Sequence, residues 1–194
     1  MRSHIIGNSL STAVLLMSWP LVGSAQQSDL AQYGNKFAPY VVTPEHAVDR
    51  MLEMANLKPG ETLFDLGCGD GRILITAVEK YRVKAVGIEI SDHLARSVAE
   101  KVKKDGLQDR IKIIHGDFMK QDLSSANVVT LYLETAANDT LRPKLERVLK
   151  PNTRVVSYDY PIPGWKEMET AEAKGSHGFS HTIYLYQVPD SIKK

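Results

Sequence analysis

The stretch Leu63-Phe-Asp-Leu-Gly-Cys-Gly-Asp-Gly71 decides the fold predicted for this chain. Its glycines, at positions 67, 69 and 71, separate a short apolar run, 62–66, from a run with apolar residues at helical spacing, 72–81. Glycine permits a tight turn in which the backbone approaches a ligand closely. A dinucleotide-binding turn would have its third glycine at position 72, where Arg72 stands, so a pyrophosphate at the helix end is disfavoured. The stretch therefore predicts a strand, a ligand-binding turn and a helix.

Outward from this stretch, apolar strands alternate with helical patterns. Thr43 is the predicted N-cap of the first helix, with Pro44 in its first helical position, and Ser91 is the predicted cap of a later helix. Further strands are predicted over 84–90, 111–115, 127–133, 153–160 and 181–188, and a helix over about 140–149. Buried strands connected by helices indicate a parallel sheet covered on both faces, with the last strand a candidate for antiparallel pairing. The predicted fold class is α/β, Rossmann-like and doubly wound.

Two acidic residues follow later strands, at the end of the sheet where open α/β folds bind ligands. Glu89 ends the second strand, where its carboxylate can accept hydrogen bonds from both hydroxyls of a ribose. Asp117 follows the third strand, where it can accept from the exocyclic amine of an adenine. A solvated strand-end acid and a turn aspartate are the respective alternatives. We predict S-adenosylmethionine as the cofactor, bound by Asp65, Gly67, Gly69, Gly71, Glu89 and Asp117.

The composition fits one globular domain: 194 residues, 43% hydrophobic and 24% charged. The net charge of +1 does not indicate nucleic acid, so no nucleic-acid partner is expected. A monomer is expected as well. Cys68 is the one cysteine of this sequence and is interpreted as a packing residue. No metal is expected, because the close histidine pair, His177 and His181, has no carboxylate motif beside it. Asp70 is compatible with a turn residue and Arg72 with a residue of the first helical turn. Ligand binding is an equally compatible role for both.

The first residues differ from the rest of the chain. Arg2 and His4 precede an apolar run over 13–22, which Gly23-Ser-Ala25 follows. This pattern predicts a signal peptide, 1–25, and a secreted or periplasmic protein. An uncleaved membrane anchor is one alternative, and translation from Met17, giving a cytoplasmic protein, is another. A linker, 26–36, and the catalytic domain, 37–190, are predicted to follow.

The glycine turn and several later segments resemble the small seven-strand lysine methyltransferases. These are the mitochondrial enzymes that modify the ATP synthase c subunit and the adenine nucleotide translocase, with bacterial relatives and, more distantly, the non-SET histone lysine methyltransferases. The resemblance spans about 37–188 and implies a single domain with a mostly parallel seven-strand sheet. It also implies transfer from S-adenosylmethionine to a protein with an exposed lysine. The matching segments are Phe64-Asp-Leu-Gly-Cys-Gly-Asp-Gly-Arg72, Val86-Gly-Ile-Glu-Ile90, Asn127-Val-Val-Thr-Leu-Tyr-Leu133, Leu141-Arg-Pro-Lys-Leu145 and Arg154-Val-Val-Ser157, with Trp165.

The acceptor side is less defined by the sequence. The resemblance makes Tyr40 and Thr43 candidates for a segment that closes over the methyl donor, although Tyr40 is equally compatible with ordinary packing. Glu134 and Asn138 follow the fourth strand and are candidate acceptor-binding groups, with a solvated acid the alternative for Glu134. Because the sulfonium methyl is already activated, orientation supplies most of the catalysis, and no catalytic residue is assigned. A small-molecule or lipid methyltransferase and an exported cofactor-binding protein without transfer activity are the competing hypotheses.

Overall fold

The computed structural model describes residues 41–174 and 180–192, so the predictions for the signal peptide, the linker and Tyr40 lie outside the described residues. These described residues contain four helices: α1 (Glu45–Met54), α2 (Arg72–Tyr81), α3 (Asp92–Lys104) and α4 (Thr135–Val148). The strands are β1 (Thr62–Leu66), β2 (Lys84–Glu89), β3 (Ile111–His115), β4 (Val128–Leu131), β5 (Arg154–Tyr158), β6 (Glu169–Lys174) and β7 (Ser180–Gln187), and a 3₁₀ turn spans Phe118–Lys120. Within the described ranges, no helix is long and apolar enough to cross a membrane.

The strands form one sheet in the order β3-β2-β1-β4-β5-β7-β6. β1 to β5 pair with one another in parallel, whereas β7 is antiparallel to both β5 and β6. The strand order reverses between β1 and β4, and ligands of such sheets bind outside the carboxyl ends of the strands at this reversal. The topology confirms the predicted α/β class with a mostly parallel seven-strand sheet.

Both faces of the sheet are covered by apolar side chains. One core cluster joins the sheet to α1, α2 and α3 through Met51, Leu74 and Val98, among others. A second cluster joins the sheet to α4 through residues that include Leu141 and Leu145. All four residues of β4 are fully buried, as expected for the middle of a doubly covered sheet. The fold is therefore doubly wound, and its strand ends are held rigidly at the ligand-binding edge.

The predicted starts of two helices were wrong, and one strand was not predicted. Helix α1 begins at Glu45 with Pro44 as its cap, so Pro44 lies one position earlier than predicted and the Thr43 side chain does not cap the helix. Helix α4 begins at Thr135 rather than near residue 140, because its first turn lacks the apolar spacing that marks its later turns. Strand β6 was not predicted, since its sequence, ETAEAK, is mostly exposed and lacks β-branched alternation.

The other predicted elements are confirmed within two residues. β1, α2 and β3 have the predicted bounds, and Ser91 caps α3 by accepting a hydrogen bond from the Leu94 amide. The terminal strand pairs antiparallel with β5, as anticipated.

Candidate functional site

A cleft of about 180 Å³ opens at the carboxyl ends of β1, β2 and β4. The glycine turn, the two strand-end acids and the start of α3 line it, together with Val41 and Val42 ahead of α1. Five of the six residues predicted to bind the cofactor lie on its wall: Asp65, Gly67, Gly69, Glu89 and Asp117. The sixth, Gly71, lies behind the wall at the start of α2.

The three glycines have backbone conformations that side chains disfavour. Gly67, Gly69 and Gly71 have φ angles of 85°, 52° and 76°, all in the left-handed region. A Cβ on Gly71 would also lie 2.3 Å from Cγ2 of Val98 on α3. Glycine is therefore required at position 71 for two reasons: the backbone conformation of the turn and the close packing of α3.

Both oxygens of the Glu89 carboxylate are held by backbone amides. Oε2 accepts from the Gly69 amide and Oε1 accepts from the Ser91 amide, each at 2.9 Å. The side chain is buried, with 7% of its surface exposed. Because each oxygen can accept a second hydrogen bond, the carboxylate is fixed in place yet able to bind a pair of hydroxyls.

Asp65 is a second buried acid, at the end of β1. The Thr130 hydroxyl donates to its Oδ1 at 2.7 Å. Burial, together with the nearby charges of Glu89 and Asp70, raises the pKa of Asp65 to about 7 despite this hydrogen bond. A cationic group entering the cleft would favour the ionised form of Asp65.

The remaining acids are held by local contacts. Asp117 caps the 3₁₀ turn by accepting from the Met119 amide at 2.8 Å, so the turn-aspartate interpretation is confirmed while its carboxyl still lines the cleft. Asp70 forms an ion pair with Arg72, and Arg72 also donates to the Thr43 carbonyl at 2.8 Å. Burial opposes ionisation of Asp70, but its hydrogen bonds with Arg72 outweigh this and lower the pKa of Asp70. The Asp70–Arg72 pair thus connects the glycine turn to the segment ahead of α1.

The chemistry of this wall fits a cationic ligand better than a phosphate. Four carboxylates line the cleft, whereas the one arginine among the described lining residues is paired with Asp70. Cys68 packs beneath the turn, and burial raises the pKa of its thiol, as expected for a packing residue rather than a nucleophile. No group of three His, Cys, Asp or Glu side chains that could hold a metal is found within 41–174 and 180–192. Hydroxyls, an amine and an ammonium are the groups that such a wall can accept.

The opposite end of the cleft was missed by sequence reasoning. Tyr132 and Leu133, just after β4, line the cleft on the side of β1 away from β2 and β3. The Tyr132 ring stacks on Tyr160 at 6.3 Å and meets the edge of Tyr158 at 4.8 Å. The signal was present, because Tyr132 was the penultimate residue of the predicted fourth strand, but the rings that contact it come from a distant segment.

The predicted acceptor-binding residues lie elsewhere. Glu134 is exposed at the start of α4, without a cap hydrogen bond, and is not part of the described cleft wall. Asn138 is buried within α4, where its amide donates to the carbonyls of Tyr160 at 3.1 Å and Pro161 at 3.2 Å. Asn138 therefore supports the segment after β5 instead of facing the cleft.

Comparison with known proteins is consistent with this geometry. The family model described as the ANTKMT methyltransferase domain matches residues 65–169. The protein-lysine N-methyltransferase of Saccharolobus islandicus (strain REY15A) is 46% identical over 151 residues, covering 77% of this chain and 93% of that protein. The adenine nucleotide translocase lysine N-methyltransferase of Mus musculus is 29% identical over 158 residues, covering 78% of this chain and 69% of that protein.

A solved structure shares the same architecture. The crystal structure of an RNA methyltransferase from Salinibacter ruber, in complex with S-adenosyl-L-homocysteine, superimposes with a TM-score of 0.74 at 39% identity. The match covers 79% of this chain and 97% of that one. The likeness therefore extends over nearly the whole of that chain.

Proposed function

This chain belongs to the ANTKMT methyltransferase domain family and is a class I methyltransferase that uses S-adenosylmethionine; from this premise we propose that its acceptor is the ε-amine of a lysine on a protein. The observation that carries the proposal is the contrast between the two ends of one cleft. Carboxylates at one end suit the cofactor, and the phenol rings around Tyr132 at the other end suit an alkylamine. The lysine specificity of the Saccharolobus islandicus relative supports the same acceptor.

For the cofactor, we propose one role for each acid of the wall. Glu89 accepts from the two ribose hydroxyls, because its carboxylate is already oriented by the Gly69 and Ser91 amides. Asp117 accepts from the adenine amine, with Ile90 and Phe118 lining the same part of the cleft. Asp65 compensates the ammonium of the methionine portion, which its burial and its position beside the glycine turn favour.

The protein's part in the transfer is to align the acceptor and to exclude water. The bound cofactor supplies a methyl group on a positively charged sulfur, which a neutral amine can attack without an acid or a metal. Tyr132 and Leu133 provide a largely apolar wall, where desolvation favours the neutral form of the amine. Alignment in such a setting contributes most of the rate enhancement.

The proposal is tested with methyl-labelled cofactor and a cell lysate that has been gel-filtered to remove endogenous cofactor. We expect label on lysine residues of one or a few proteins, identified by peptide mass spectrometry, and none without the added enzyme. Label confined to small molecules, or to protein carboxylates or glutamines, would refute the lysine acceptor while leaving the methyltransferase assignment intact.

RNA is a second candidate acceptor, favoured by the Salinibacter ruber structure alone. We rank it below lysine because the net charge of the chain is only +1, which gives little attraction to a phosphate backbone. Nuclease treatment of the lysate separates the two candidates. Label that disappears with the nucleotides would establish RNA as the acceptor.

We also propose that the chain is exported after cleavage behind Ala25, because small residues at 23 and 25 follow the apolar run. Intact-mass measurement of the protein purified from its natural source is expected to give Gln26 at the amino terminus. An amino terminus at Met1 or Met17 would contradict cleavage.

A further inference from the structure

An acidic residue lies in the chain between two tyrosines whose rings contact Tyr132, a residue of the cleft wall. Asp159 directly follows β5, between Tyr158 and Tyr160, and both of these rings contact Tyr132. The Asp159 side chain retains 27% of its exposure, so it is neither fully buried nor freely solvated. Burial raises the pKa of Tyr132 and of Tyr158, and the negative charge of Asp159 adds to this effect.

The backbone holds Asp159 in place, and a histidine lies beside its carboxylate. Its φ of 68° is in the left-handed region, and its amide donates to the Thr182 carbonyl on β7 at 2.7 Å. Nδ1 of His181, the neighbouring residue on β7, lies 3.0 Å from its Oδ1. The His181 ring stacks on Tyr158 at 5.4 Å, so the acid, the histidine and the tyrosines form one continuous cluster. A strained backbone that two strands stabilise in this way is typical of functional positions.

The same cluster contains a buried polar atom without a partner. The side chain of Tyr158 is 1% exposed, and none of the described residues forms a hydrogen bond with its hydroxyl. Burial raises the pKa of Tyr158 to about 12, so the hydroxyl keeps its proton at neutral pH and stays a hydrogen-bond donor. An unpaired buried hydroxyl is costly, and a bound ligand can satisfy it.

Resting on the proposed function, we propose that Asp159 binds the ammonium group of the acceptor lysine, with the faces of Tyr132 and Tyr160 beside its alkyl chain and His181 next to the carboxylate. A carboxylate surrounded by aromatic rings combines charge pairing with cation–π attraction, which is the usual way that proteins bind alkylammonium groups. Glu134 and Asn138 differ from Asp159, because Glu134 is exposed at the start of α4 and the amide nitrogen of Asn138 donates to backbone carbonyls.

The chemistry of transfer limits the role of Asp159 to binding and orientation. The ammonium must first lose a proton, which passes to bulk water through the exposed side of the Asp159 carboxylate. The lone pair of the neutral amine then forms the N–C bond as the C–S bond breaks, and the electron pair of that bond stays on sulfur. Methylammonium and S-adenosylhomocysteine are the products, with no oxidant, metal or covalent enzyme intermediate.

The test compares wild type with Asp159→Asn in the lysate assay, measuring label on lysine as the concentration of lysate protein is increased. Asparagine tolerates the left-handed backbone at this position, so the variant should fold. We expect the half-saturating concentration of lysate protein to rise at least tenfold, the scale of a lost hydrogen bond to a charged group, while the Kd for S-adenosylmethionine changes less than twofold by calorimetry.

Two further variants make the result specific. Asp105→Asn removes the same charge at the end of α3, where the residue is exposed and far from the cleft along the chain, and should leave both quantities unchanged. His181→Ala should raise the half-saturating concentration to a smaller extent, again without loss of cofactor affinity, and keeps the idea testable if the asparagine variant does not fold.

The possible results distinguish failure of the role proposed for Asp159 from failure of the proposed lysine acceptor. If wild type labels no lysine, the proposed function fails and the inference fails with it. If wild type labels lysine but Asp159→Asn keeps its half-saturating concentration, the inference alone is overturned. A loss of maximal rate and cofactor affinity at unchanged half-saturation would also overturn it, because that pattern indicates a structural role.

Discussion

The two ends of the cleft hold their polar groups in different ways. At the cofactor end, each acid is fixed by partners close to it in the sheet or the chain: Glu89 by two backbone amides, Asp70 by Arg72 and Asp117 by the Met119 amide. At the acceptor end, the aromatic cluster is assembled from the ends of β4, β5 and β7, and it leaves the Tyr158 hydroxyl without a partner among the described residues.

This contrast distinguishes the cofactor pocket, which methyltransferases have in common, from the acceptor site, which makes each enzyme specific. The cofactor is common to many enzymes, so a preorganised pocket made from one turn and a few strand ends suffices for it. The acceptor differs between enzymes, and its site is made from residues far apart in the chain, where substitutions can accumulate without disturbing the turn. Mutations at the cofactor end should therefore affect stability or cofactor affinity, and those at the acceptor end should affect transfer.

The largest effect is expected for Gly71→Ala, which tests the rigidity of the cofactor end. A left-handed φ of 76° and a Cβ 2.3 Å from Val98 Cγ2 combine backbone strain with overpacking against a branched side chain. We expect the free energy of unfolding to fall by about 3 to 5 kcal/mol, measured by urea denaturation. Gly106→Ala is the matched control: its φ is 68° but nothing lies near its Cβ, so only about 1 kcal/mol should be lost. Equal losses in the two variants would contradict the packing argument.

A pH-dependent stability is expected from Asp65. The folded pKa of about 7 exceeds the ordinary value of 3.8, so the folded state binds more protons between these values and stability falls as pH rises. The loss should amount to about 2 to 4 kcal/mol from pH 4 to pH 8, and Asp65→Asn should remove it. Urea denaturation of both proteins across this range measures the difference. Parallel profiles for the two proteins would show that Asp65 is not the group responsible.

Glu89→Ala tests the cofactor end through binding. Losing hydrogen bonds to a charged group costs about 1.5 to 3 kcal/mol, so the Kd for S-adenosylmethionine should rise tenfold to a hundredfold in calorimetry. Glu79→Ala removes an exposed acid from α2 and should leave the Kd unchanged. A folded Glu89→Ala protein with wild-type affinity would exclude Glu89 from the cofactor site.

The same contrast explains how much the sequence could predict. β1, the glycine turn and Glu89 follow from local pattern, because strand, turn and helix are adjacent in the chain and the spacing to the next strand end is nearly fixed by one βαβ unit. Asp65, Glu89 and Asp117 were accordingly found in the cleft where the sequence placed them.

The acceptor end could not be predicted in this way. Asp159 and His181 meet only because β7 inserts between β5 and β6 in a particular antiparallel register, which no local periodicity specifies. β6 itself has an exposed, polar sequence that resembles a loop. Asn138 was misassigned because α4 begins earlier than its apolar spacing suggests, so a buried helical amide was interpreted as a residue facing the site.

Tyr132→Ala is expected to have the smallest effect. It is also the most direct test of whether the cofactor end and the acceptor end are separate sites. The Tyr132 ring contacts two other tyrosines, and aromatic pairs of this kind contribute about 1 kcal/mol beyond their buried area, so transfer at subsaturating lysate protein should fall about fivefold. Tyr132→Phe keeps the ring and should retain nearly the wild-type rate, because the contacts of Tyr132 with Tyr158 and Tyr160 are made by ring faces and edges. The Kd for S-adenosylmethionine should change less than twofold in both variants, since the polar contacts proposed for the cofactor come from β1, β2 and the turn after β3. If Tyr132→Ala instead weakened cofactor binding as much as Glu89→Ala does, the two ends would form one site, and the separation of a shared cofactor pocket from a specific acceptor pocket would have to be abandoned.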